Sequence, residues 1–350
     1  MHPLLIRADA SSRIGSGHVM RCLALAQAWQ DAGGRACLAA RFLPETLRRR
    51  WVEEAMEVRQ LTTLVGDAVQ TLELAHEIGA EWLVLDGYHF GTDFQRFIKN
   101  AGTRLLVIDD DGCAGQYVAD LILNPNPCAT RAMYRCDDAS TMLLGSRYAL
   151  LRREFLLARP ANREYVARAK RVLVTLGGAD PDNCTRTILK AIGSIQALTT
   201  IAVLGPSNQH APELKQLAPR TGGRIIIRRN PPDMPQLMTW ADLAVSAAGS
   251  TSWELAFAGV PMLLVILAEN QRYNATCLHE LGVARNLGWH RELSEEKVRV
   301  AVMRTLNDPV LRESMSRKGS ALVDGRGATR AVETVTLRIG ERDADHLFRE

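Results

Sequence analysis

The sequence predicts an α/β fold made of two doubly wound domains, each built on a parallel sheet. Three observations support this fold class. Short runs of apolar residues recur along most of the chain, helical patterns lie between them, and the chain has 350 residues. At about 150 residues per domain, that length corresponds to two domains rather than one. Alternating strands and helices of this kind are typical of parallel sheets covered by helices on both faces.

The predicted strands are apolar throughout instead of alternating between apolar and polar residues. Strands that are covered on both faces have this pattern. The runs occupy residues 4–6, 82–85, 105–108, 172–174, 201–204, 243–245 and 263–266. Between the first two, residues 19–31 carry apolar side chains at helical spacing, and Gly33 and Gly34 follow as a stop signal.

A domain boundary is predicted within residues 148–170, because this segment is charged, contains Pro160 and precedes a fresh series of strands and helices. We therefore expect an N-terminal domain at 1–150 and a C-terminal domain at 151–340, with 151–170 as the linker. Residues 326–339 are predicted to form the last helix of the second domain. The polar tail at 341–350 is expected to fray.

The composition indicates a folded globular protein and argues against a nucleic-acid-binding or membrane-spanning one. The chain is 47% hydrophobic and 23% charged, which are the values of folded globular proteins. Its 43 basic and 39 acidic residues leave a net charge of +4, so nucleic acid is not expected as a partner. Apolar stretches reach about six residues, far short of the ~20 that a membrane helix needs, and no secretory signal opens the chain. We expect a cytoplasmic protein without stable membrane association.

The first candidate site joins the strand at residues 4–6 to the helix that starts near His18. Gly15 and Gly17 allow the backbone to approach a ligand, and a helix N-terminus attracts an anion. Met20 stands where a dinucleotide-binding fingerprint needs its third glycine, which disfavours an NAD site. Histidine accepts protons near neutral pH, so His18 is a candidate general base. The alternative is a histidine that merely caps the helix.

The second candidate site again consists of a strand, a loop of small residues and a helix. Gly249 with the hydroxyls of Ser250 and Thr251 predicts a cradle for a diphosphate. Glu254, one turn further, can accept two hydrogen bonds from a ribose diol. An alternative remains open, because Thr251 and Glu254 also have the spacing of a helix capping box.

Other polar or glycine-containing segments follow predicted strands. Asn270 and Gln271 offer amides after one strand, and Gly177 begins a turn after another. The segments 86–89 and 109–111 are acidic strand ends, which are more often solvated turns than sites. The second of them contains a D-x-D pattern, but without a second cluster of ligands we expect no metal ion.

Several of these segments together resemble a known family. They are the R-x-D-x-S-x-x-I-G-x-G-H-x-x-R pattern of residues 7–21, the D-x-Y pattern of 86–88, Asn124, Asn126, the segment 148–155, Glu254 and Asn270-Gln271. From about residue 4 to about residue 285, the chain is similar to the UDP-sugar hydrolases of pseudaminic acid biosynthesis. The N-terminal pattern is the specific part of this resemblance, whereas the C-terminal helix and loop are similar to those of many GT-B glycosyltransferases.

The resemblance implies a GT-B fold, with UDP held mainly by the second domain and a sugar hydrolysed in the cleft between the domains. It implies that His18 is catalytic, that Tyr88 is a tyrosine of the cleft and a second catalytic residue, and that Arg152 is an interdomain arginine. It also implies that Glu254 binds the ribose and that Asn270 contributes an amide to the nucleotide sugar. Gly87 departs from the pattern, since some relatives have a larger polar residue there.

The function that follows is hydrolysis of the anomeric C–O bond of a UDP-activated 2,4-diacetamido-2,4,6-trideoxy-β-L-altrose, releasing UDP. Because no carboxylate is assigned as a nucleophile, the anomeric centre is expected to invert. The substrate is a small molecule, and no cofactor is expected. The alternatives are a GT-B glycosyltransferase and a non-catalytic protein that binds nucleotide sugars. The candidate binding residues are Arg13, Gly15, Gly17, Arg152, Gly177, Gly249, Ser250, Thr251, Glu254, Asn270 and Gln271.

Overall fold

A computed structural model describes residues 2–11, 14–62, 66–112, 114–159, 163, 166–217 and 224–347. The chain divides into two compact units. The first contains residues 1–10, 18–153 and 325–350, and the second contains residues 11–17 and 154–324. The chain therefore passes from the first unit to the second between Arg153 and Glu154.

The first half of the chain alternates strands with helices as far as residue 108 and then continues mainly with strands. The strands are β1 (Leu4–Ala8), β2 (Ala36–Ala40), β3 (Glu57–Gln60), β4 (Trp82–Asp86), β5 (Arg104–Ile108), β6 (Gln116–Tyr117), β7 (Leu121–Asn124), β8 (Arg135–Cys136) and β9 (Thr141–Leu144). The helices are α1 (Gly17–Asp31), α2 (Glu45–Glu53), α3 (Asp67–Ile78), α4 (Thr92–Asn100) and α5 (Arg153–Leu157), with short 3₁₀ turns at Arg131–Met133 and Ser146–Tyr148.

Seven of these strands form one sheet in the order β3-β2-β1-β4-β5-β7-β9, and its strand pairs are parallel. Successive residues of β1 enter two different cores. Leu4 and Ile6 pack in one cluster and Leu5 packs in another. Both faces of the sheet are thus covered, which is why its strands are apolar throughout. Strands β6 and β8 pair separately.

The second unit repeats this plan. Its strands are β10 (Arg171–Thr175), β11 (Thr199–Leu204), β12 (Ile225–Arg229), β13 (Leu243–Ala247), β14 (Met262–Ile266) and β15 (Ala284–Trp289). The helices that follow α5 are α6 (Cys184–Gly193), α7 (Ala211–Leu217), α8 (Met234–Trp240), α9 (Thr251–Phe257), α10 (Arg272–Glu280), α11 (Glu295–Leu306), α12 (Pro309–Leu322) and α13 (Gly327–Leu347), with 3₁₀ turns at Glu269–Gln271 and His290–Glu292. The sheet order is β12-β11-β10-β13-β14-β15, again with parallel pairs.

In both sheets the strand order reverses beside the first strand of the unit. The chain moves from β1 outward to β3 and then returns to place β4 on the other side of β1. In the second unit, β10 has the same position between β11 and β13. Ligands of doubly wound sheets bind at the carboxyl ends of the strands near this reversal. The ends of β1, β4, β10 and β13 are therefore where a site is expected.

All seven predicted strands are strands in the structure, and the prediction of two doubly wound parallel sheets is confirmed. The pattern does not identify β3 (Glu57–Gln60), where only Val58 is apolar and the other residues are exposed, because this strand lies at the edge of its sheet. Edge strands have less surface to bury, so they lack a continuous apolar run.

The C-terminal helix was assigned to the wrong domain. We expected residues 326–339 to complete the second domain, but helix α13 clusters with the first unit. Its residues Ala328, Ala331, Val332 and Val335 are buried in the core that contains β1. The helix also continues through Leu347, where a frayed tail was expected from residue 341. Among the helices that the structure describes, none combines the length and the apolar character needed to cross a membrane.

Candidate functional site

His18 and Asp86 meet at the carboxyl ends of two adjacent strands. β4 ends at Asp86, which is paired in register with Ala8 at the end of β1, and α1 begins at Gly17 after the following loop. Nδ1 of His18 lies 2.6 Å from Oδ1 of Asp86. Because an ionised carboxylate only accepts hydrogen bonds, this contact places the imidazole proton on Nδ1 and leaves a lone pair on Nε2. The pair has the geometry of an oriented general base.

Arg21 lies one helical turn after His18 on the same face of α1, and its guanidinium joins two carboxylates. Nε and Nη2 donate to the two oxygens of Asp86, each at 2.6 Å. Nη1 donates to Oδ2 of Asp110 at 2.7 Å. Arg21 and Asp86 are almost completely buried. Charge-assisted and bidentate contacts of this kind give strong and directional pairing.

These contacts shift the protonation equilibria of the pair. Burial by itself would raise the pKa of Asp86, but the positive charge of Arg21 and the hydrogen bonds from Arg21 and His18 outweigh it and hold this pKa well below its ordinary value. Burial would likewise lower the pKa of Arg21, but Asp86 and Asp110 raise it well above its ordinary value. Asp86 is thus ionised and Arg21 charged over the whole physiological range of pH.

Tyr88 contacts both parts of this network. Its hydroxyl donates to Oδ1 of Asp110 at 2.7 Å, and its ring packs edge-on against the ring of His18, with 5.0 Å between the centroids. Burial and the negative charge of Asp110 raise the pKa of Tyr88 well above its ordinary value. The phenol therefore keeps its proton and directs it to Asp110.

Gly87, where the sequence departs from the family pattern, is closely packed. A Cβ atom at this position would lie 3.0 Å from the ring of His89 and 3.1 Å from that of Phe90. A larger residue would therefore need both rings to shift. The glycine is explained by local packing.

The acidic segment 109–111 is held by hydrogen bonds from protein groups. Oδ2 of Asp109 accepts from the hydroxyl of Tyr117 at 2.7 Å, and its Oδ1 accepts from two backbone N–H groups. Asp110 serves Arg21 and Tyr88, as described above. Within the described ranges, no group of three or more histidine, cysteine, aspartate or glutamate side chains is arranged to hold a metal ion. The segment supports the network around Asp110 by its hydrogen bonds.

Asn124 and Asn126 hold the backbone of Asp110 by hydrogen bonds. Nδ2 of Asn126 donates to the backbone oxygen of Asp110 at 3.0 Å, and Oδ1 of Asn124 accepts from the backbone N–H of Asn126 at 2.9 Å. Nδ2 of Asn124 in turn donates to the hydroxyl of Tyr134 at 2.7 Å. Both asparagines are buried. They fix the backbone that carries Asp110.

The R-x-D pattern that opens the family resemblance forms a second buried ion-pair group. Nε and Nη2 of Arg7 donate to the two carboxylate oxygens of Asp67, at 2.9 and 2.8 Å, and Nη2 also donates to Asp9. Asp9 accepts two further hydrogen bonds from the backbone of Arg41 and Phe42. These contacts tie β1 to α3 and to the end of β2, and their role is to hold the loops at this edge of the sheet.

In the second unit, buried side chains of two helices donate hydrogen bonds to the loop after β13. Nδ2 of Asn274 donates to the backbone oxygen of Ala248 at 2.8 Å and lies 3.1 Å from Oγ of Ser252. The Ser252 hydroxyl donates to the backbone oxygen of Gly249 at 2.7 Å. Both carbonyls are therefore engaged by buried side chains of the protein. This arrangement suits a loop that presents N–H groups and hydroxyls to an anion.

Glu254 is half-buried and lies in α9, which begins at Thr251. Thr251 is therefore inside the first turn instead of at the N-cap. Ser250 occupies the N-cap position and makes no side-chain capping bond. The capping-box interpretation of Glu254 is not supported, and its role as a ribose ligand stays a prediction.

Asn270 and Gln271 lie in the 3₁₀ turn that follows β14. Oε1 of Gln271 accepts from the backbone N–H of Leu267 at 3.0 Å. A Cβ atom at Gly249 would lie 3.7 Å from Nε2 of Gln271, so the amide group is next to the loop after β13. The amide oxygen of Gln271 is thus engaged by the backbone of Leu267, and its amide nitrogen lies beside the predicted diphosphate loop.

The glycine turn after β10 approaches residues 14–17, which cluster with the second unit. Gly177 has φ +80°, in the left-handed region that favours glycine. A Cβ atom at Gly178 would lie 2.7 Å from Oγ of Ser16, and one at Gly17 would lie 3.7 Å from Oγ of Ser250. Three of the predicted small-residue segments therefore lie together.

Of the other predicted site residues, Gly15 has φ +81° and pairs with Ser11 in an isolated bridge. Arg152 is half-buried directly before α5. Arg13 lies outside the described residues. Their roles in binding remain predictions.

Five residues that the structure places in these networks were not assigned from the sequence: Arg21, Asp86, Asp110, Ser252 and Asn274. Arg21 had a usable signal, because a residue three positions after His18 on a helix lies on the same face. Asp86 and Asp110 were predicted only as parts of acidic strand ends. Ser252 and Asn274 are small polar residues on helices, and their partnership depends on how α9 and α10 pack.

Known proteins are similar to this chain at two levels, a family of domains and individual relatives. Residues 172–328 match the model of the glycosyltransferase family 28 C-terminal domain. The spore coat polysaccharide biosynthesis protein SpsG of Bacillus subtilis is 26% identical over 93% of this chain and 95% of its own length. The uncharacterized protein MJ1062 of Methanocaldococcus jannaschii is 26% identical over 77% of this chain, but the match spans only 56% of that protein.

A third relative bears on the family resemblance. The UDP-2,4-diacetamido-2,4,6-trideoxy-β-L-altropyranose hydrolase of Campylobacter jejuni is 25% identical over 80% of this chain and 97% of its own length. The resemblance to the UDP-sugar hydrolases of pseudaminic acid biosynthesis is therefore confirmed.

Solved structures show the fold. MurG of Acinetobacter baumannii superposes with a TM-score of 0.65 at 17% identity, covering 96% of this chain and 99% of that protein. Anabaena Alr3699/HepE in complex with UDP-glucose superposes with a TM-score of 0.64 at 16% identity, covering 96% and 100%. At these identities the likeness establishes the fold alone. The chain has the GT-B type of fold, and this prediction is confirmed.

Proposed function

We propose that this protein processes nucleotide sugars, and specifically that it hydrolyses the anomeric C–O bond of a UDP-activated 2,4-diacetamido sugar. The observation that carries the proposal is the 2.6 Å contact between Nδ1 of His18 and the buried carboxylate of Asp86. It orients an imidazole base at the carboxyl end of β4. The name of the Campylobacter relative supports the same reaction and substrate.

In the proposed reaction, Nε2 of His18 removes a proton from a water molecule while the water oxygen attacks the anomeric carbon. The bond from that carbon to the phosphate oxygen breaks, and UDP leaves with the bonding electrons. The product is the free sugar with an inverted anomeric centre, since no enzyme carboxylate forms an intermediate. The imidazolium that results is stabilised by the negative charge of Asp86.

The energetic demand on the protein is moderate. UDP is a good leaving group because the phosphate that it exposes has a second pKa near ~6. A strong general acid is therefore not required. A positioned base contributes roughly 10² to 10⁴ in rate, or about 3 to 5 kcal/mol. The remainder must come from orienting the water and stabilising the diphosphate charge.

In this proposal the second unit binds UDP. The backbone and hydroxyls of Gly249, Ser250 and Thr251, with the turn at Gly177, hold the diphosphate, and Glu254 accepts hydrogen bonds from the ribose. The bracing of this loop by Ser252 supports the assignment, because preorganised N–H groups bind an anion without the cost of reordering. Asn270 and Gln271 contribute amides.

A second candidate function is transfer of the sugar to an acceptor hydroxyl. The match of residues 172–328 to the glycosyltransferase family 28 C-terminal domain favours it. In that case a hydroxyl group of the acceptor would replace water as the nucleophile. The rest of the machinery would be the same.

Release of UDP from UDP-sugars without any added acceptor distinguishes the functions. Purified protein is incubated with UDP-2,4-diacetamido sugars in the presence of EDTA, and UDP is quantified. Catalytic release supports the hydrolase. Release that requires an acceptor supports the transferase, and binding without turnover supports a non-catalytic protein.

The bond that breaks is identified by running the reaction in H₂¹⁸O and quenching it early. We expect the label in the anomeric hydroxyl of the sugar, unlabelled UDP, and a first-formed anomer opposite to that of the substrate. Label in UDP or in a sugar phosphate would mean attack at phosphorus. The proposed role of His18 would then be wrong.

A further inference from the structure

Arg21 contacts two carboxylates that serve two different functional side chains. One is Asp86, whose Oδ1 also contacts Nδ1 of His18. The other is Asp110, whose Oδ1 accepts from the hydroxyl of Tyr88. The guanidinium is therefore the shared link between the support of the histidine and the support of the tyrosine.

We propose that Arg21 and Asp110 are positioning residues that couple the orientation of His18 to that of Tyr88. This inference rests on the proposed function for its catalytic consequence. The coupling itself depends only on the contacts of the first unit. Neither residue needs to touch the substrate.

The hydrogen bonds of the network leave little room for independent movement. Asp110 has one oxygen on Arg21 at 2.7 Å and the other on Tyr88 at 2.7 Å. Arg21 uses Nε and Nη2 for Asp86 and Nη1 for Asp110. Because the guanidinium is a rigid plane, the two carboxylates are held at a set angle to each other. A lysine ammonium at this position could not reproduce that fork.

The charges of the network favour the same conclusion. Two carboxylates and one guanidinium leave one negative charge, which the imidazolium formed during catalysis would balance. Nη2 of Arg21 also lies 3.2 Å from Nδ1 of His18, so the positive charge of Arg21 directly opposes that imidazolium. Asp110 offsets this repulsion, because it neutralises Arg21 from the far side. Loss of the Asp110 charge should therefore be felt at His18, although the two do not share a hydrogen bond here.

The geometry also restricts what Tyr88 does. Its proton is directed to Asp110, so the residue orients the substrate and does not act as the acid that protonates UDP. This agrees with a leaving group that needs no strong acid. The contribution of Tyr88 to the reaction should then depend on Asp110.

A double-mutant cycle tests whether the contribution of Tyr88 depends on Asp110. Tyr88→Phe and Asp110→Asn should each lower kcat by about tenfold or more, and the double variant should resemble Asp110→Asn, because the contribution of Tyr88 depends on its hydrogen bond to Asp110. UDP affinity should stay within about twofold in all three. If the two losses multiply, Asp110 acts independently of Tyr88 and the proposal is wrong.

The role of the fork is tested by Arg21→Lys, which keeps the charge but cannot reach both carboxylates. We expect kcat to fall by at least about tenfold, again with UDP affinity within about twofold. Arg96→Lys is the matched control, since Arg96 is an exposed arginine of α4 paired with Asp93. Normal turnover in Arg21→Lys would contradict the positioning role.

The coupling has a readout that does not depend on activity. The ring ¹³C and ¹⁵N signals of His18 should shift in Asp110→Asn and stay in place in Asp111→Asn, which changes an exposed residue of the same acidic segment. Unchanged His18 signals in Asp110→Asn, in a variant with a native-like amide spectrum, would overturn the coupling. If the wild-type protein releases no UDP from any UDP-sugar, the proposed function fails, whereas this spectroscopic comparison still decides the coupling.

Discussion

Asp86 accepts a 2.6 Å hydrogen bond from Nδ1 of His18, although the two residues lie 68 positions apart in the chain. The contact exists because β1 and β4 are neighbours, so the loop after one strand and the last residue of the other reach the same edge of the sheet. It determines which ring nitrogen of His18 carries the proton. Four predictions follow from this contact and from the loop after β13.

The first concerns Asp86→Asn. The amide has the same shape but no charge, so it neither enforces the Nδ1–H tautomer nor stabilises the imidazolium. We expect kcat to fall by roughly 10² to 10⁴ and the ¹⁵N spectrum of His18 to show a changed tautomer balance. Full activity with an unchanged tautomer would contradict the proposed dyad.

His18→Asn removes the base itself. The loss in kcat should be at least ~10², while UDP affinity should hardly change, because the nucleotide is assigned to the second unit. His76→Asn is a suitable control, since His76 is an exposed residue of α3. Turnover close to normal in His18→Asn would remove His18 from the mechanism.

Glu254→Ala tests the ribose assignment. Loss of charge-assisted hydrogen bonds should weaken UDP binding by about 1.5 to 3 kcal/mol, measured by calorimetry. Glu280→Ala, an exposed change at the end of α10, should leave UDP binding as it is. Unchanged UDP binding in Glu254→Ala, with a lowered melting temperature, would show that Glu254 has only a structural role.

Acid should reveal the stabilisation that Asp86 provides. Its pKa in the folded protein lies well below the value of ~3.9 expected in the unfolded chain. A depressed pKa stabilises the fold above the unfolded-state value, and this contribution disappears as pH falls toward the folded-state pKa. The difference in melting temperature between wild type and Asp86→Asn should therefore shrink as pH falls from about 5 to about 2. A difference that stays constant would show that the Asp86 charge does not stabilise the fold.

Much of the fold could be predicted because strands covered on both faces are distinctive in sequence. β13 and β14 are buried along their whole length, and no polar residue interrupts the apolar run of β14. The place of α13 could not be predicted in this way. Its apolar residues, such as Ala331 and Val335, fit any core that offers a groove, and periodicity does not say which core is used.

Some features of the candidate site could likewise be predicted from the sequence, and others could not. The fold class could be predicted from the sequence, and so could the segments that lie at the carboxyl ends of the strands, because glycines, hydroxyls and carboxylates after buried strands are local signals. Which of these side chains contact one another depends on the packing of the folded chain. Arg21 lies between Asp86 and Asp110, and Asn274 lies behind the loop at Ala248, because strands and helices distant in sequence pack side by side. A hydrogen-bond partner is set by distance in space, and the spacing of residues along one chain does not contain that distance.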